Sequence, residues 1–302
     1  VMSKYCFGVD VGGTTVKLGL FDLEGNVQDK WEIITRTEEN GKNILPDVAK
    51  SVLDKMAEKN IAKDEVAGID KGVVLKAVNL GWDIMDVKEI LGGLTGLAVQ
   101  AGNDANVAAL GEMWRGGGQG FENMVLVTLG TGVGGGVILG GKILTGATGA
   151  AGEIGHIHIE DKEGDACGCG NHGCLEQYAS ATGIVRLAKR RLEADTKDSV
   201  LRQGEVSAKT VFDAVKAGDE VACEIAEQFG QYLGKGLAAI AAVVNPEAFV
   251  IGGGVSKAGD ILCQYITKYY EKYAFHGCMN AQFKLATLGN DAGIYGAAKL
   301  VL

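Results

Sequence analysis

A chain of 302 residues, 47% hydrophobic and 22% charged, is long enough for two globular domains and too apolar to be disordered. Its 29 basic against 38 acidic residues leave a net charge of −9, which argues against nucleic acid or an anionic membrane surface as a partner. No apolar run approaches the roughly 18 to 20 residues that span a bilayer, and no signal-peptide pattern precedes the first strand, so a cytoplasmic protein is expected.

In chain order, hydrophobic patterning predicts strands over residues 4–11, 16–22 and 28–34, with turns at Gly12-Gly13-Thr14-Thr15 and Leu23-Glu24-Gly25-Asn26. A helix carries Leu45, Val48, Ala49, Val52, Leu53 and Met56 on one stripe. A strand at 66–69, a helix around Val87–Leu94, a short strand at 97–101 and a helix at 105–114 follow. Gly116-Gly117-Gly118-Gln119-Gly120 reads as a hinge. The opening pattern then recurs: strand 124–129, turn Gly130–Gly134, strand 135–139, turn Gly140-Gly141-Lys142. Helices are expected at 181–193, 208–216, 220–244, 261–270 and 292–301, with strands at 248–251 and 283–286. A strand, glycine turn, strand unit thus occurs twice, at Phe7–Phe21 and Val125–Leu139. Two similar α/β domains facing each other across a ligand cleft are the natural expectation.

Glycine, at 47 residues, is more than twice its usual share of about 7%. Close approach of backbone to a ligand accounts for such enrichment, and the two glycine turns, with threonine hydroxyls beside them, suit a polyphosphate. The Gly130-x-Gly132-x-x-Gly135 spacing matches the dinucleotide fingerprint, but the residues after it continue as a strand where a helix is required. Gly136 to Lys142 has P-loop spacing without the Ser or Thr that should follow. Neither match is taken as functional. Asp10, ending the first strand, either holds magnesium or faces solvent; Lys17 either touches phosphate or is simply exposed. Asp104 is either a helix N-cap or a general base, and Gly252-Gly253-Gly254 either backs a planar base or is a plain turn.

Residues 150–178 carry the chain's densest chemistry. Cys167, Cys169 and Cys174 are spaced C-x-C-x4-C, and His156 lies eleven residues upstream. Three thiols and an imidazole are the closed ligand set of a structural Zn2+. The other four cysteines sit in apolar patterns, as reduced buried thiols do. Glu153 and His156, at i and i+3, share a helical face. A metal-bound His156 presents its second nitrogen as a fixed donor between Glu153 and Glu176, which suits a polyhydroxyl ligand. The alternative is a zinc knuckle that staples a loop, with both glutamates solvated.

Taken together, DVGGTTVKLGLFD (10–22), GNDANVAALGE (102–112), LGTGVGGGVI (129–138), GEIGH (152–156), CGCGNHGCLEQYAS (167–180) and NDAGIYGAA (290–298) resemble the ROK family of repressors and kinases, and the cysteine block most resembles its bacterial ATP-dependent glucokinases. The resemblance implies an α/β, two-domain actin/hexokinase-like (duplicated ribonuclease H-like) fold with a cleft and a zinc-bound insertion at 150–178. Residues 1–115 plus 288–302 would form one domain and 116–287 the other. It implies Asp104 as catalytic base, Asn103, Asp104, Glu153, His156 and Glu176 as hexose ligands, and His156, Cys167, Cys169 and Cys174 as zinc ligands. Asp10, Gly12, Gly13, Thr14, Thr15, Lys17, Gly130, Thr131, Gly132 and Gly134 would serve ATP phosphates and Mg2+, with Gly253 and Gly254 near the adenosine. Family members are commonly homodimers or tetramers, so a homodimer is expected. The family's Gly-x-Pro-Gly-Pro loop is absent here, where Ile69-Asp70-Lys71-Gly72-Val73-Val74 runs straight across. A cleft loop missing from the sequence is expected, and Cα spacing other than ~3.8 Å across Ile69–Gly72 would reveal it.

Overall fold

The structure is a computed structural model that describes residues 3–70, 86–100 and 102–302. The chain divides into two compact units, Val1–Gln119 with Asn290–Leu302, and Gly120–Gly289. The bond geometry expected to report on a missing loop, from Asp70 onward to Gly72, lies outside the described residues.

In the first unit β1 (Tyr5–Val11), β2 (Thr15–Asp22) and β3 (Val27–Ile34) form an antiparallel meander. β4 (Val66–Asp70) and β5 (Val99–Gln100) extend it in parallel beyond β1. A single turn α1 (Glu38–Gly41), then α2 (Ile44–Glu58), α3 (Val87–Thr95) and α4 (Asp104–Arg115), lie between and after these strands. Side chains alternate across a strand, so β1 sends Phe7 and Val9 to one face and Cys6 to the other. Phe7, Val9, Leu18 and Leu20 are buried with Leu45, Val48 and Val52 of α2. On the opposite face Cys6 and Phe21 pack with Ile294 and Ala298 of the closing helix α10 (Ala292–Leu300). Cover on both faces is what makes β1 read as a nearly unbroken apolar run.

The closing helix is seated by glycine. A Cβ on Gly296 would overlap the Val107 carbonyl, and one on Gly111 the Ala292 carbonyl, so α4 and α10 meet backbone to backbone. Gly296→Ala is expected to cost about 1 to 3 kcal/mol through overpacking. A thermal melt reads this as a lowered midpoint; an unchanged midpoint would mean the two helices do not hold this contact.

In the second unit β6 (Met124–Leu129), β7 (Val133–Leu139) and β8 (Lys142–Ile143) repeat the meander, and β9 (Ala248–Gly252) and β10 (Gln282–Leu285) the parallel extension. The two sheets have equivalent orders, β3-β2-β1-β4-β5 and β8-β7-β6-β9-β10. The helices are α5 (Glu176–Ala179), α6 (Ala181–Ala194), α7 (Ala208–Lys216), α8 (Glu220–Val244) and α9 (Asp260–Tyr273). Asp219 caps α8 by accepting from Ala222 N–H, and Asn245 ends it in the left-handed region. Ile225, Phe229, Leu233 and Leu237 recur at i, i+4 along it and are buried in one core with Val127, Phe249 and Ile251 of the sheet.

Three local expectations change. The second glycine turn is shorter than the five residues expected, because β7 begins at Val133. The Gly140–Lys142 turn leads into a strand, β8, too brief for periodicity to show. Where a strand at 97–101 was expected, β5 covers Val99–Gln100, residue 101 lying outside the described residues; among the described residues β5 pairs with β4, and Leu97 is buried in the core ahead of it. Among the described residues no helix is long and apolar enough to cross a membrane.

Candidate active site

Gly12, Gly13 and Thr14 form the turn between β1 and β2, and Thr15 opens β2 opposite Ile34. Gly12 N–H closes the turn on Thr15 O at 3.0 Å. Thr35, buried just past β3, donates its hydroxyl to Gly12 O at 2.7 Å and its amide to Thr14 O at 2.9 Å. Asp10 packs against the first turn of α10, where a Cβ on Gly293 would come 2.6 Å from its Oδ2. A carboxylate at a helix N-terminus is favourable, a role neither sequence reading considered. Lys17 lies opposite Asp10 and donates to Asn290 O at 3.2 Å.

Asp104 is not the N-cap of α4; Asn103 is. Asn103 Oδ1 accepts from Ala105 N–H at 3.0 Å and Asn106 N–H at 3.4 Å. Asp104 is the exposed first residue of the helix and accepts from Ala105 N–H through Oδ1 at 2.8 Å. The amide group of Asn103, with its oxygen in the cap, keeps two donors for other work.

The second turn comprises Gly130, Thr131 and Gly132. Gly134 falls outside it, inside β7 opposite Thr128, because the antiparallel ladder already starts at Val133. Gly135 and Gly136 also lie in that ladder, so a strand, not a helix, runs through both nucleotide-motif spacings. Gly130 N–H closes the turn on Gly132 O at 3.0 Å. From the start of α6, Ala181 N–H reaches Gly130 O at 2.7 Å and the Thr182 hydroxyl reaches Thr131 O at 2.7 Å. Glu176 Oε2 sits beside the turn, accepting from Val133 N–H at 3.4 Å, and a Cβ on Gly132 would lie 2.6 Å from it. Gly253 follows β9 at φ 82° and is pressed on the Leu129 backbone, whereas the space around Gly254 is open.

His156, Cys167, Cys169 and Cys174 come together, their ligand atoms all within 4.8 Å of one another. Cys169 and Cys174 Sγ are 3.6 Å apart, and Cys167 Sγ is 3.7 Å from His156 Nδ1. Tetrahedral zinc with bonds of 2.0 to 2.3 Å requires ligand separations of roughly 3.5 to 3.8 Å, so the residues fit that ion. Burial raises the Cys167 and Cys174 thiols, while the Asn171 amide lowers Cys169. Glu153 precedes the 3-10 turn Ile154–His156, in which i and i+3 positions eclipse, and both it and His156 are exposed. Glu176 Oε1 accepts from Cys167 at 2.9 Å and lies 3.8 Å from His156 Nδ1, so this carboxylate spans the cysteine cluster and the second turn.

Side chains distant in sequence anchor the cysteine finger to the helices behind it. Glu163, its side chain 1% exposed, accepts from Arg190 at 2.9 and 3.1 Å and from Tyr178 Oη at 2.6 Å. Gln177 accepts from Cys174 N–H at 3.0 Å and donates to Asp165 O at 2.9 Å. The Arg190 guanidinium, against the cost of burial, holds the Glu163 carboxyl down at about 2. A depressed folded pKa gives stability that is complete above the ordinary carboxylate range and lost as pH falls toward 2. Glu163→Gln is expected to cost about 2 kcal/mol at pH 6, with the gap to wild type closing between about pH 4.5 and pH 2. Melts across that range check it; a gap independent of pH would show that the charge is immaterial.

Two hollows meet at Thr182, one of them lined by the second turn. One, of about 430 Å³, is lined by Thr131, Gly132, Cys167, Glu176, Thr182 and Arg186 among others. The other, of about 520 Å³, shares Thr182 and Arg186 with it and continues along α6 past Val185 and Lys189 to Ser207 at the head of α7.

The signature described as ROK family matches residues 6–302. The chain belongs to the ROK family. A glucokinase of Halalkalibacterium halodurans is 44% identical to this ROK protein over 314 residues, covering 99% of this chain and 95% of the relative. Among solved structures, a ROK family glucokinase from Streptomyces griseus in complex with glucose and AMPPNP is 35% identical, with a TM-score of 0.71 and 98% of each chain covered. A ROK family transcriptional regulator is 26% identical with a TM-score of 0.85, over 98% of this chain and 77% of the regulator. The α/β two-sheet fold is the one these ROK proteins share.

Proposed function

We propose that this protein transfers the γ-phosphoryl group of ATP to the 6-hydroxyl of D-glucose. The observation that carries this reading is the 44% identity to a glucokinase along essentially the whole chain. Asp104 is the catalytic base: an exposed carboxylate relieved of helix capping by Asn103, able to align and deprotonate a hydroxyl. Asn103, Glu153, His156 and Glu176 bind the hexose hydroxyls. The Gly12–Thr14 and Gly130–Gly132 turns bind the polyphosphate, with Thr15 and Lys17 beside the first. Adenosine is held near Gly254, the open position after β9.

His156 Nδ1, Cys167, Cys169 and Cys174 hold Zn2+, leaving His156 Nε2 with its proton as a donor to the sugar. That zinc is structural, since four protein ligands leave no position for water. Asp10, half-buried at the end of β1 beside the first turn, is the carboxylate suited to Mg2+, directly or through water. When bound, magnesium would supply neutralisation of the phosphate charge. The enzyme works in the cytoplasm as a homodimer, without nucleic-acid or membrane partners.

A coupled assay of ADP release over a hexose panel tests the substrate. Glucose is expected to give the highest kcat/KM; a higher value for N-acetylmannosamine, fructose or allose would move the assignment to that kinase. The likeness to a transcriptional regulator keeps a second class in view, a sugar-responsive ROK regulator or binding protein. Sequence-specific DNA binding at physiological salt, with no ADP release, would favour it.

A further inference from the structure

The two glycine turns share a detail that their sequences hide. In each, the first amide closes the turn on itself, and a threonine hydroxyl from outside the hairpin takes a turn carbonyl at 2.7 Å: Thr35 on Gly12 O, Thr182 on Thr131 O. In the second turn every carbonyl is engaged, Gly130 O by Ala181 N–H, Thr131 O by Thr182 and Gly132 O by Gly130 N–H. In the first, Thr35 takes Gly12 O with its hydroxyl and Thr14 O with its amide. Among the described residues none accepts from the amides of Gly13, Thr14, Thr131 or Gly132. The second turn, with its three carbonyls occupied and the amides of Thr131 and Gly132 unoccupied, presents donors alone, the polarity an anion requires; in the first, Gly12 O and Thr14 O are held back in the same way, and a carbonyl swung outward would repel the anion.

We propose that Thr35 and Thr182 are positioning residues that tether the carbonyls of the two turns so that their amides stay available for a polyphosphate. The proposal rests on the assignment of these turns to ATP. Thr182 is the more informative of the pair, because it is exposed and lines the hollow beside its turn. Its hydroxyl lies beside the serine that caps the same helix. Ser180, fully buried, caps α6 by accepting from Gly183 N–H at 2.9 Å. Ser180 Oγ lies 2.6 Å from Glu176 O and 2.9 Å from Thr182 Oγ1. Ser180 gives its proton to Glu176 O, and Thr182 gives its single proton to Thr131 O.

The test compares Thr182→Val, which keeps shape and loses the donor, with Thr182→Ser, which keeps the donor. ATP affinity is read by calorimetry, and KM for ATP and for glucose are read separately. Thr182→Val is expected to weaken ATP binding and raise its KM about two- to tenfold with KM for glucose unmoved, and Thr182→Ser to stay near wild type. Thr35→Val should act in the same direction, with its melting midpoint followed because Thr35 is buried. Equal shifts in both KM values, a lowered midpoint with unchanged ATP affinity, or a serine variant as impaired as the valine one would overturn the proposal. A wild-type protein that binds no ATP would overturn both this proposal and the kinase reading, whereas an active wild type with an unaffected Thr182→Val overturns this proposal alone.

Discussion

Asp104→Ala is expected to lower kcat at least 100-fold while glucose affinity stays within a few-fold of wild type. General-base assistance typically contributes 10²- to 10⁴-fold, which is what the alanine removes. Capping of α4 does not confound the result, because the cap oxygen belongs to Asn103, and only the Asp104 bond to Ala105 N–H is lost. Asp104→Asn is the stricter variant: it retains size and that hydrogen bond and removes the charge. It should fall nearly as far, since a neutral amide does not take a proton. Steady-state kinetics with a calorimetric glucose titration separate the outcomes. Unchanged turnover would remove Asp104 from the chemistry, and a lost sugar affinity with normal kcat at saturation would make it a ligand only.

The second large effect concerns the metal. A single zinc per chain is expected by elemental analysis, and Cys167→Ser should abolish retention. Between Gly155 and Leu175 the buried apolar side chains are Ile159, Cys167 and Cys174, too few to fold a finger of this length unaided. Metal binding in comparable small sites is worth about 10 kcal/mol or more, so its loss should melt the finger outright. Hydrogen exchange should then rise from Ile157 to Cys174, with the anchors through Glu163 and Gln177 loosened and α8 still protected. Activity should fall at least tenfold, because Glu176 stands between the cluster and the Gly130–Gly132 turn. A metal-free protein with normal exchange and normal kinetics would reduce the cluster to an ornament.

What could be read from the amino-acid order follows what is local. β1, β6, α7 and α8 emerge from periodicity because their partners bury whole faces, and the cysteine cluster emerges because ligand spacing is itself local. The two hairpin turns were visible in outline, but the end of the second was misplaced: glycine looks like turn even where, as at Gly134, it pairs in a ladder. Asn103 and Asp104 are equally good caps on paper, and only backbone geometry chooses between them. Thr35 and Thr182 were invisible because each acts on a residue 23 or 51 positions away. Glu163 and Arg190 are likewise 27 apart, joined by tertiary packing that no propensity encodes. One signal was available: a serine ahead of an apolar helix pattern at Ser180 marks a cap, and that cap lies beside Thr182.

The helix that seals the Cys6–Phe21 face has a bearing on biosynthesis. During translation the amino-terminal sheet emerges early, yet the Ile294 and Ala298 side chains meant for its second face arrive only after Gly120–Gly289 has been made. Until then one side of a finished sheet stays greasy and open to chaperones or to neighbouring nascent chains. The intervening unit, contiguous in the polypeptide, needs no such wait. Ribosome-stalled fragments ending near residue 289 should therefore protect the later unit from protease while leaving the earlier one susceptible, an inversion of the usual order of maturation.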